Sequence, residues 1–87
     1  MPTVALRVTF VTEEDARKEV NGFPAQELPY VRRVERKRDG ATWVVLADLL
    51  ERRDLDTLRT LFRMHRFVTD VNEITEAEWA RAPSNSI

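Results

Sequence analysis

Apolar residues occupy every second position from Val4 through Leu6 and Val8 to Phe10, with Thr3, Ala5, Arg7 and Thr9 between them. A period of two marks a strand with one buried face. The segment 41–47, Ala-Thr-Trp-Val-Val-Leu-Ala, breaks that rule because both of its alternating faces are apolar. Such a strand belongs in the middle of a sheet with cover on both sides. A chain of 87 residues has little material for the second cover. The pattern therefore raises the expectation of self-association or of a partner.

The remaining elements follow from periodicity and caps. Thr12-Glu13-Glu14-Asp15 has a hydroxyl three residues before an acid, a short form of the capping box, and its acids suit a helix N-terminus. Ala16 and Val20 continue a helical stripe, and Asn21-Gly22 supplies a stop. The first helix is predicted over 12–21. Residues 22–29 carry two prolines and read as a loop. Tyr30 to Arg38 reads as a charged edge strand, and the opposite parity of Val31 and Val34 calls for a bulge or a one-sided edge position. Asp39-Gly40 is a hairpin-turn signal leading into 41–47. Asp54 or a neighbour is expected to cap a second helix with Leu55, Leu58, Leu61 and Phe62 on its buried stripe. Phe67–Ile74 is a weaker strand, interrupted by Asp70, Asn72 and Glu73. Thr75-Glu76-Ala77-Glu78 repeats the capping-box pattern ahead of a short helix bearing Trp79.

The order β-α-β-β-α-β predicts an α+β, ferredoxin-like sandwich. Its antiparallel sheet has strand order 4-1-3-2, with two helices on one face. One domain spans 1–81, with 82–87 as a flexible tail. Local pattern agrees with this topology, since the two most apolar strands fall at its centre and the most basic one at an edge. The face away from the helices is then open. Strand three offers either Thr42, Val44 and Leu46 or Trp43, Val45 and Ala47 to it. Trp79 folding back, a second copy in a sheet-to-sheet homodimer, or a different protein are the candidate covers.

Composition narrows the function classes. With no cysteine there is neither a disulfide scaffold nor a thiolate metal site. One histidine rules out a multi-histidine metal site, and two glycines leave no phosphate-cradling loop. No apolar run nears the roughly 18 residues of a membrane span. The N-terminus lacks the pattern of a secretory signal, so no membrane role and a cytoplasmic location are expected. No cofactor is implied.

Net charge is −1, but it is unevenly spread. Residues 32–66 carry a net +4, between end segments of −2 and −3. Twelve of the fourteen basic residues are arginine, the side chain that grips carboxylates and phosphates in a planar fork. Arg32, Arg33, Arg36, Lys37 and Arg38 lie on the edge strand, and Arg52, Arg53, Arg59, Arg63 and Arg66 around the second helix. If edge and helix merged, they could track a phosphate backbone. The aromatic platform of an RNA-binding sheet is missing, however, since strand three supplies only Trp43. An enzyme reading rests on fold analogy to small dimeric isomerases and cofactor-free oxygenases, with His65 or Tyr30 as the acid–base candidate.

The sequence therefore points to a small non-catalytic protein-binding or regulatory module, of inhibitor or adaptor type, that acts by occupying a partner's surface. Arg36, Arg38, Arg59 and Arg63 are the expected polar contacts, and Trp43 and Val45 the apolar ones. A nucleic-acid-binding protein using the arginine-rich strand and helix, and a small dimeric ferredoxin-like enzyme of isomerase or cofactor-free oxygenase type, are the alternatives.

Overall fold

The computed structural model describes residues 2–18 and 28–83. The end of the first predicted helix, its Asn21-Gly22 stop, most of the following loop and the tail from 84 onward lie outside the described residues. Within them the chain is α+β, with an open four-stranded antiparallel sheet and three helices. The elements are β1 (Thr3–Phe10), α1 (Glu13–Lys18), β2 (Val31–Asp39), β3 (Thr42–Leu49), α2 (Asp54–Arg63), β4 (Val68–Ile74) and α3 (Glu76–Arg81). The strand order is β2-β3-β1-β4. Counted from the opposite edge this reads 4-1-3-2.

β3 lies mid-sheet, pairing Val45 with Leu6 of β1 and with Arg36 of β2. Residues directly opposite in an antiparallel pair share a face, so register assigns every side chain to a layer. Val4, Leu6, Val8 and Phe10 of β1 join Trp43, Val45, Ala47 and Leu49 of β3 in one core. Ala16 of α1 and Leu55, Leu58 and Phe62 of α2 close that core from above. The Trp43 indole N–H donates to the Ala16 carbonyl at 2.6 Å, fastening α1 to the central strand. The Thr12 hydroxyl accepts from the Asp15 amide at 3.1 Å, as the capping pattern predicts.

The second face of β3 is also covered, and the cover belongs to the same chain. α3 packs against β1 and β3 on the side away from α1 and α2. Beneath it Ala5, Val44 and Leu46 keep only 2 %, 3 % and 8 % of their surface. The expected open face is therefore closed by α3, and the picture of two helices on one face gains a third helix on the other. The Thr75 capping box forms in full: the Thr75 hydroxyl accepts from the Glu78 amide while the Glu78 carboxylate receives the Thr75 amide.

Two local expectations shift, and the bulge in β2 forms. Asp54 is the first residue of α2, and its carboxylate accepts from the Glu51 amide at 3.1 Å in the preceding turn. The helix has no side-chain N-cap, because the cap position is Arg53. The hairpin turn is Gly40-Ala41, since Asp39 pairs with Thr42. Gly40 has φ 59° while Ala41 does not enter the positive region, the arrangement of turns with glycine first. The bulge in β2 falls between Val31 and Arg33. It sends Val34, Arg36 and Arg38 to the α1/α2 side and Arg33, Glu35 and Lys37 to the α3 side. No helix among the described residues is long and apolar enough to cross a membrane.

Candidate functional site

β2 runs along one edge of the sheet, and its cations divide by face. On the α3 side they are engaged within the chain. The Arg33 guanidinium donates to Asp48 at 2.9 Å and to Glu35 at 2.8 Å. Asp48 also accepts from the Thr3 hydroxyl at 2.8 Å. The bond from Thr3, then that from Arg33, hold the Asp48 carboxyl below the usual aspartate range. Arg33 is correspondingly raised by Asp48, and secondarily by Glu35. Lys37 stands 4.0 Å from the centroid of the Trp79 ring and donates to the Trp79 carbonyl at 3.2 Å. On the α1/α2 side, Arg36 and Arg38 are half-buried beside Val45 and Trp43. Arg38 makes no ion pair or hydrogen bond among the described residues, nor does Arg32, which is exposed at the bulge.

Trp43 and Val45, the expected apolar contacts, are corrected by this geometry. They retain 2 % and 1 % of their surface and face α1 and α2. The register of β1 against β3 places them in the core, so neither side chain is offered to a partner. Arg59 and Arg63 are separated from Arg36 and Arg38. α2 packs against β4, the strand at the opposite edge from β2. Three strand spacings, roughly 14 Å, lie between those edges. Arg59 is half-buried and donates to the Val71 carbonyl at 3.5 Å. Its Nε is buried without a partner among the described residues. Arg63 is exposed in the last turn of α2. Arg52 reaches both oxygens of Glu73, at 2.8 and 2.7 Å. The edge and helix cations thus form two groups and not one stripe.

Tyr30 and His65 are not brought together either. The Tyr30 carbonyl accepts from Leu50, beside the start of β1, where Pro2 receives the Leu49 amide. His65 lies near Phe67, whose carbonyl receives the Val11 amide at the far end of β1. The length of β1 separates them, roughly 23 Å for seven steps. Burial, and secondarily the charge of Asp54, push the Tyr30 phenol above its ordinary range. No cluster of three or more histidine or acidic side chains is placed to hold a metal among the described residues.

One feature escaped the sequence reading. A shallow cleft of about 210 Å³ opens beside α3, lined by Arg7, Asp39, Val44, Glu78 and Arg81 among others. Arg7 meets Glu78 at 3.4 Å across it. The parity of β1, which sets Arg7 with Ala5 on the face opposite the core, was the available signal. Comparison of the chain with protein-family models, with curated proteins and with solved structures finds no match.

Proposed function

We propose that the chain is a ferredoxin-like sandwich working in the cytoplasm as a small non-catalytic protein-binding module, of inhibitor or adaptor type. It acts by covering a surface of its partner. The observation that carries this reading is the division of charge on β2. Cations on the α3 side are satisfied internally, while Arg32 and Arg38 have no partner among the described residues. Arginine held on a rigid strand suits a carboxylate-bearing protein surface, where it forms charge-assisted forked bonds. The placement of Arg59 and Arg63 at the opposite edge favours this reading over nucleic acid, which rewards one continuous basic track. Self-association through the sheet face loses its support because α3 lies over that face.

The test uses the whole chain as bait in lysate from its own source, in parallel with Arg32→Glu/Arg38→Glu. A stoichiometric protein held by the wild type and lost by the variant is the expected result. Retention of the same protein by the variant would remove the edge from the interface. A salt-sensitive shift of labelled RNA or DNA without any captured protein would move the chain to the nucleic-acid class.

A further inference from the structure

We infer that the sheet face beneath α3 is a docking surface for an acidic, tryptophan-bearing helical turn of a partner protein, and that α3 occupies it as the chain's own competing ligand. The inference rests on the protein-binding reading above and adds the chemistry of the partner.

The receptor side is a small apolar floor flanked by cations. Ala5, Val44 and Leu46 form the floor. Arg7 rises from β1, and Lys37 from β2, on the same face. The ligand side is Glu76–Arg81, which presents two acids in its first turn and one indole. The two match group by group: the Lys37 ammonium lies over the Trp79 ring at 4.0 Å, and Arg7 meets Glu78 at 3.4 Å. Ammonium over indole and guanidinium against carboxylate are recognition contacts that any segment with the same groups could make.

Four features make the occupant displaceable. α3 has six residues, far fewer than the 12–15 or so that a helix needs to persist alone. None of its residues is fully buried, although the floor beneath it is. It joins β4 through Thr75 alone, an extended residue with φ −82° and ψ 156° that caps the helix and makes no part of the sheet. The Trp79 Nε1 is buried without an acceptor among the described residues, so a partner turn that brought an acceptor to that point would fit better than α3 does. Once α3 lifts, exposure of the apolar floor to water is unfavourable, which favours a replacement onto it. The tether gives α3 an effective concentration on the order of millimolar. The chain's apparent affinity for a partner turn is lowered by the fraction of time the face is open.

The probe is a fluorescein-labelled, end-capped peptide of residues 75–83, titrated by anisotropy into the full chain and into full-chain variants. Trp79→Ala loosens the native strap, so the peptide should bind that chain at least tenfold more tightly than the wild type. Adding Lys37→Glu to it should cost at least tenfold, and a peptide with its own tryptophan changed to alanine should not bind. Circular dichroism and thermal melting check the fold of each variant. Glu78→Lys, which keeps the indole, is the second loosened chain and should gain at least threefold. Equal binding to wild type and loosened chains, no binding up to about 1 mM, or indifference to Lys37→Glu would overturn the inference. Unfolding of both loosened chains would overturn it too, since α3 would then be a fixed part of the core. A wild-type dimer with exchanged α3 segments would make a second copy the occupant instead. Failure of the peptide leaves the lysate capture through Arg32 and Arg38 standing, so the two readings fall separately.

Discussion

Replacing Trp79 by alanine removes the largest side chain of the second cover. Truncating a fully buried tryptophan costs about 3–5 kcal/mol. Trp79 is half-buried, which reduces that to roughly 2 kcal/mol on the same scale. Losing the Lys37 contact adds about 0.5–1 kcal/mol. Against this, the buried indole N–H has no acceptor among the described residues, and removing it returns roughly 1 kcal/mol of desolvation. The net expectation is a loss of about 2 kcal/mol. A domain of this size has about 4–13 kcal/mol in total, so the melting temperature should fall by roughly 10 °C. Urea unfolding followed by far-UV circular dichroism gives the free energy, and a thermal scan gives the shift. Val11→Ala, at a site 61 % exposed, is the control and should stay within about 0.5 kcal/mol. If Trp79→Ala behaves like that control, α3 is not holding the second face, and the reasoning from the two-sided apolar strand fails.

Trp43→Phe keeps most of the core volume but strips the bond to Ala16, leaving a carbonyl without its donor; a loss of about 2 kcal/mol is expected by urea unfolding. Gly40→Ala meets no neighbouring atom, so its cost of about 1 kcal/mol should come from the φ of 59° alone and be absent in Gly40→Asn, which tolerates that region better. Asp48 titrates lower in the folded chain than unfolded, so its contribution is complete above the ordinary aspartate range and is lost as pH falls through the depressed folded value. Stability measured from pH 6 down to pH 2 should therefore slope less steeply in Asp48→Asn; an unchanged slope would discount the Thr3 and Arg33 bonds.

Much of this architecture is written in the alternation of the chain. β1, the hairpin and the central position of β3 follow from where Val4, Leu6, Val8 and Phe10 stand and from the double-sided run at 43–47. The parity of β3 was not legible, because Trp43/Val45 and Val44/Leu46 are equally apolar. The choice is made by register with β1 and by the bond from the Trp43 indole to α1. In β2 the bulge decides which cations face which layer, and its effect on Arg33 and Lys37 depends on Asp48 and Trp79, both distant in sequence. Arg36 and Arg59 are close in charge pattern but belong to opposite edges, a consequence of strand order that composition does not carry. The tryptophan in the C-terminal segment was visible as a possible cover. That it lies against Lys37, with Arg7 meeting Glu78 alongside, required the folded register.

α3 lies on the sheet of its own chain. Nuclear Overhauser contacts from the Trp79 indole to the Lys37 side chain and the Val44 methyls, recorded over a range of concentrations with the mass followed by sedimentation, test it directly. The expected result is a monomer in which those contacts are present at every concentration. A monomer with the indole in water, or contacts that appear only as dimer forms, would contradict it.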